Sequence, residues 1–170
     1  MSFNNIILLL TAIATALIAG LFYSWCVAVA PGLGKMADRE YIGAMQSLNA
    51  TIQNALFFAS FVGALALLPL NAVLQGRENF SLRFWLSVAA AALYILGVFV
   101  ITATGNVPLN NDLAAFRLDG ANMEDVRQQR AFFEEPWNQL NIMRTFSAIG
   151  SLVLILLACI IGEEAATKNS

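Results

Sequence analysis

The chain has 170 residues, 59% of them hydrophobic and only 12% charged, with a mean hydropathy of +0.70. A soluble domain carries roughly twice that share of charge, about 25%, so this composition describes a membrane protein. A formal net charge of −2 leaves no electrostatic case for a nucleic-acid partner, and the lack of any histidine excludes His-ligated haem, His-rich zinc or copper sites, and Ser-His or Cys-His dyads.

Four stretches are long and apolar enough to cross a bilayer, which takes about 20 residues: Ile6–Ala30, Thr51–Leu74, Phe84–Thr104 and Thr145–Ile161, the last extended as helix back to about residue 141. None contains Asp, Glu, Lys or Arg. The first lacks a basic leading region and exceeds an ordinary signal-peptide core, so it reads as a retained span. The expected fold is all-α: one membrane domain over residues 1–170, a four-helix transmembrane bundle with a long, helix-containing loop (105–140) between helices 3 and 4.

Span 1 carries Ala12, Ala16, Gly20, Ser24 and Ala28 at intervals of four, and span 2 carries Ala55, Ala59 and Gly63. Small residues at this spacing let helix backbones approach in lipid, which predicts that span 1 packs through this stripe. Cys26 and Cys159 lie near the C-terminal ends of an odd and an even span, hence near opposite faces, out of disulfide reach. Both read as small buried residues.

Before span 2, Tyr41, Met45, Leu48 and Ile52 recur with helical period. With Asp38 as N-cap and Glu40 in the first turn, the pattern predicts one unbroken helix from Asp38 to about Leu74. At 1.5 Å per residue that is about 50 Å, so its first turns project beyond a core of about 30 Å. Pro69 should bend its far end. Gln75–Arg83 is a tight hairpin. In the long loop, Asn122–Glu135 reads as a separate amphipathic helix, and Pro136 suits the first position of helix 4.

Alternation of spans brings the ends of spans 1 and 3 and the starts of spans 2 and 4 to one membrane face. Polarity concentrates there: Tyr23, Ser24 and Trp25; Gln46, Asn49, Gln53 and Asn54; Thr102, Asn106, Asn110 and Asn111; Trp137, Asn141 and Arg144. Concentrated polarity in a membrane protein marks the place to look for function. Trp137, Asn141 and Arg144 share one side of helix 4. Arg144 lies two turns beyond Trp137, and no carboxylate in the spans can pair with it. Glu134, Glu135 or Asp112 from the loop, backbone carbonyls, or an oxyanion ligand are the available partners. Capping roles for the amides and an aromatic-belt role for the tryptophans are the structural alternatives.

The opposite face offers little beyond Gln75, Arg77, Glu78, Asn79, Arg83 and the C-terminal tail. Basic residues fall on both sides: Arg77, Arg83 and Lys168 on that of the termini, Lys35, Arg39, Arg117, Arg127 and Arg130 on the other. The short hairpin with two arginines weighs most under the positive-inside rule, so the expected location is a cell membrane with cytoplasmic termini.

Four runs, taken together, resemble the anthrone oxygenase–like family of small four-span membrane proteins. They are Gly20-Leu-Phe-Tyr-Ser-Trp-Cys-Val-Ala-Val-Ala-Pro-Gly-Leu, Ala44-Met-Gln-Ser-Leu-Asn, Asn106-Val-Pro-Leu-Asn-Asn and Pro136-Trp-Asn-Gln-Leu-Asn-Ile-Met-Arg-Thr. Fungal members oxidise anthrones to anthraquinones with no recognised metal or organic cofactor. The resemblance therefore implies cofactor-independent oxygenation of an anthrone-like or quinol-like hydrophobic aromatic. Arg144, Asn141 and Trp137 would be catalytic and Asn106, Asn110, Asn49, Gln53 and Trp25 substrate-binding, with Asp112 or Glu134 left to serve as base. The alternative is a non-enzymatic binding or accessory protein whose polar face docks a lipid head group or a partner protein, with a homo-oligomer open to either reading. Four spans without an internal repeat make a transporter a third, poorer fit.

Overall fold

The computed structural model describes residues 2–167, with side-chain placement for all of these but 78 and 162–167; Lys168 and the side chain of Glu78 lie outside the described residues. Five helices account for most of the described chain: α1 (Phe3–Leu33), α2 (Asp38–Thr51), α3 (Ala55–Glu78), α4 (Leu82–Ala115) and α5 (Met123–Thr167). All but α2 contain a stretch long and apolar enough to span a membrane, so the protein is an all-helical, multi-pass membrane bundle. The four spanning helices pack in a ring, α1 on α3, α3 on the first half of α4, α4 on α5 and α5 on α1. Large apolar side chains such as Leu17, Val62, Leu96 and Phe146 stay exposed on the outside, where lipid is their solvent.

Two cores result. The bundle core includes Ile18, Phe22, Leu68, Tyr94, Val98 and Ile155. A second core, of Tyr41, Ile42, Met45, Leu113, Val126, Phe133 and Trp137, forms where α2 and the ends of α4 and α5 extend past the bundle as a cap. Polar ties hold the cap. Arg130 reaches Glu134 at 2.6 Å, Asp38 at 2.9 Å and the carbonyls of Gly34 and Met36, and it lies over the Tyr41 ring. Arg39 donates to the carbonyl of Leu118 at 2.7 Å, and Gln46 to those of Leu113 and Phe116. Burial in this cap, with Glu134 adding to it, pushes the Tyr41 hydroxyl well above the usual range for a phenol.

Several expectations need correcting. The helix begun at Asp38 is capped by Ala37, and it ends at Thr51. Ile52–Asn54 are non-helical, and the Asn54 side chain starts a new helix by accepting from the amides of Leu56 and Phe57, both at 3.1 Å. Periodicity carried across this break because Ile52 happens to keep the phase. α3 then runs through Pro69 as helix to Glu78. Asn122–Glu135 is no separate helix: α5 starts after Asn122, which accepts from the Asp125 amide, and continues through Pro136. The flanking turns explain the continuity, since Phe133 and Trp137 stack 6.2 Å apart inside the cap core and need one common helical face.

The small-residue stripe of α1 also faces the wrong way for the role expected of it. Ala16, Gly20, Ser24 and Ala28 are exposed, and only Ala12 is buried. The packed face of α1 is Leu8, Thr11, Thr15, Ile18, Ala19 and Phe22. Likewise Ala55 and Ala59 are exposed. A Cβ added at Gly20 meets no atom within 4 Å. Gly20→Leu should therefore leave the melting temperature in detergent within about 2 °C of the parent, as for surface substitutions that stay within about 0.5 kcal/mol. A large drop would mean that this face is covered in the assembled protein.

Candidate functional site

The seam between the two cores holds a cavity of about 270 Å³. Its deep wall is built by α5 and α1. Trp137, Asn141 and Arg144 lie on consecutive turns of α5, and all three are at most 5% exposed. Facing them are Phe22 and Trp25 of α1. Trp25 lies at the start of a π-helical turn, Trp25–Val29. The widened turn lets consecutive residues, Trp25 and Cys26, both face α5, Trp25 packing on Trp137 with ring centroids 5.0 Å apart. On the far side, α4 is π-helical over Ile95–Val100 and again over Thr102–Asn106. Such turns are rare and recur at functional sites.

The electrostatics centre on Arg144. Its guanidinium donates to Asn141 Oδ1 at 2.8 Å and to Thr102 Oγ1 at 3.2 Å. It lies 4.5 Å from the ring centroid of Phe22 and 5.5 Å from that of Trp137. Its Nε is buried without a hydrogen-bond partner. Among the described residues no carboxylate pairs with it: the ion pairs are Arg127–Glu124, Arg130–Asp38 and Arg130–Glu134. Cation–π contact is worth up to about 2 kcal/mol when desolvated, whereas an uncompensated buried ion costs several kcal/mol. The arrangement thus leaves a cation with room for an oxyanion. A second unsatisfied donor, Asn49 Nδ2, lines the same cavity.

The expected residues assemble with one difference. Arg144, Asn141, Trp137, Asn110, Asn49, Gln53 and Trp25 all line the cavity. Asn110 accepts from Trp137 Nε1 at 2.8 Å, which fixes the indole plane, and Gln53 donates to the Asn49 carbonyl. Asn106 stands behind the wall, where its Nδ2 donates to the Trp137 carbonyl at 3.4 Å. Tyr23 and Ser24 point outward, Gln46 ties the cap, and Asn54 caps a helix. The candidate bases fall elsewhere. Asp112 is exposed and holds Gln129, while Glu134 is engaged by Arg130 and lines a second cavity with Cys26, Gly34 and Asn138.

Two groups of residues escaped the sequence reading. Phe22, Phe57, Phe58, Phe61 and Phe99 give the cavity its aromatic lining, yet in the sequence they look like any lipid-facing phenylalanine. Cys26 is not merely apolar filling: its Sγ accepts from Asn141 Nδ2 at 3.2 Å and lies 3.2 Å from Thr145 Oγ1. Asn141 is thus held from both sides, by Cys26 and by Arg144. Among the described residues no group of three or more His, Cys, Asp or Glu side chains could hold a metal ion.

Fold and cavity together define a multi-pass helical membrane protein with an internal chamber at one end of its bundle. The chain belongs to the anthrone oxygenase family, whose model matches residues 45–154, well over half its length. That match takes in Asn49, Thr102, Asn110, Trp137, Asn141 and Arg144, while Phe22 and Trp25 precede it. No curated protein and no solved structure matches the chain.

Proposed function

We propose that the protein oxygenates a hydrophobic aromatic of the anthrone or quinol type, with the substrate anion itself reducing O₂. The observation that carries this reading is the buried, carboxylate-free Arg144 guanidinium set among aromatic rings. For an anthrone the balance is Ar–CH₂–Ar + O₂ → Ar–CO–Ar + H₂O. The methylene proton passes to water, and the resulting anion places its charge on the former carbonyl oxygen, beside Arg144. One electron passes to O₂, and the radical pair joins as a peroxide at the former methylene carbon. Loss of water then leaves the ketone, so the proton released first is returned in the product water. Arg144 and Asn49 would stabilise the oxyanion. Trp25 and Trp137 would stack on the ring, and the dry apolar walls would strengthen the ion–anion contact.

The test is oxygen uptake and anthraquinone absorbance with anthrone as substrate, using protein reconstituted in phosphatidylcholine nanodiscs. Wild type should raise both at least tenfold over empty nanodiscs, with one O₂ consumed per quinone formed. Saturable anthrone binding without O₂ uptake would instead favour the binding-protein reading.

A further inference from the structure

The cavity opens along one side onto the apolar outer surface of the bundle. Both halves of α4 pack on α5, but only the first also packs closely on α3, which lies against α1 on its other side. A slot remains between α3 and the second, π-helical half. Phe61 and Phe99, with ring centroids 6.2 Å apart, close its floor. On α4 the lip is Phe99, Ala103, Val107 and Asn111, which recur every four residues, all exposed and all lining the cavity. The opposite lip is Gln53 and Phe58, also exposed. The slot is therefore graded, with amides at the cap end and only apolar groups deeper in the span. Below it the exposed neighbours are Val62, Leu96 and Val100. On the aqueous side the cavity is covered by α2, which the ties from Arg39, Gln46 and Arg130 hold down.

Size points the same way. Pockets that enclose a whole ligand run to about 300–1,000 Å³, and this one has about 270 Å³. A ligand larger than this leaves part of itself outside, and the slot gives that part an apolar path into the bilayer.

We infer that the site is loaded sideways from the membrane, and that its ligand is a phenol or quinol whose hydrocarbon substituent stays in the lipid while its oxygen-bearing ring reaches Arg144. This rests on the reading of the cavity as the substrate site. Ring and oxygen go to the aromatic and cationic wall, and the chain lies between Phe58 and Phe99.

The experiment uses two photoreactive 4-dodecylphenols, one with a diazirine on the ring and one with it at the chain end, in phosphatidylcholine nanodiscs holding the full-length protein. The ring probe should label the segments containing Trp25 and Trp137. The chain probe should label those containing Phe58 and Phe99, and excess unlabelled 4-dodecylphenol should suppress these adducts but not those elsewhere on the lipid-facing surface. Ala103→Trp, a substitution at an exposed position on the lip, should cut ring labelling at least tenfold with an unchanged melting temperature. Ring adducts at Trp25 and Trp137 that persist in Ala103→Trp, with no competed chain adducts at the slot, would overturn the lateral route and leave the substrate site standing. Absence of any ring adduct at the deep wall would overturn both.

Discussion

Replacing Arg144 with methionine should strongly weaken oxyanion binding while leaving the fold as stable as before, or more so. The two signs have one cause. The guanidinium is almost wholly buried, bound to Asn141 and Thr102, with no carboxylate partner among the described residues and with Nε unsatisfied. Exchange of such a group for an apolar side chain of similar length removes a desolvation cost without opening a large void. Once a phenolate is bound, the same group supplies a charge-assisted hydrogen bond worth about 1.5–3 kcal/mol. Its loss should weaken binding roughly 10- to 150-fold and lower turnover by at least as much. Arg144→Lys should also fail, because a single ammonium cannot donate to Thr102, Asn141 and a ligand from one plane. Asn79→Ala, an exposed change at the far end of α3, should alter neither property. Tight phenolate binding by Arg144→Met, measured as displacement of the ring probe, would remove Arg144 from the site.

Much of this was legible because polarity is so scarce in the chain. Four charge-free runs announce four spans. An arginine two turns beyond a tryptophan, with an asparagine between, can share a face only on a helix, and the alternation of spans brings Asn110 alongside. Other features left no such trace. The break at Ile52–Asn54 hides because Ile52 keeps the helical phase. Asn54, followed directly by an apolar run, was the available sign of a new helix start. The stripe from Ala16 to Ala28 misled because lipid and protein interior are equally apolar. Hydrophobicity thus cannot say which side of a membrane helix is packed, and shape decides it instead. Leu8, Ile18 and Phe22 fill the bundle core better than a row of small residues would. The π-helical turns have no sequence signature of the kind that proline or a cap provides. They are nevertheless what lets Trp25 and Cys26 both face α5 and brings Thr102 to Arg144.

Where small residues do permit close approach is α4 against α5, and there the largest effect on stability is expected. A Cβ built on Gly97 would collide with Ser147 Oγ and stand 2.5 Å from Ser147 Cβ. Real Cβ atoms do not come that close, and Ser147 Cβ belongs to the stiff base of a side chain rather than to a mobile tip. One helix must therefore move. Overpacking of this kind costs about 1–3 kcal/mol, a fall in melting temperature of roughly 2–12 °C for a chain of this size. The consequence extends to the cavity. Arg144 sits one turn before Ser147 on α5, and Thr102 follows Gly97 within the same π-helical half of α4. Separation of the two helices should stretch the 3.2 Å Arg144–Thr102 bond. Gly97→Ala is thus expected to lose stability and to bind the ring probe several-fold more weakly. Combination with Ser147→Gly, which removes the opposing Cβ, should restore most of both. If the single change costs nothing, α4 and α5 are not in contact there. If the double variant recovers stability but not binding, the spacing of the two helices does not govern the site.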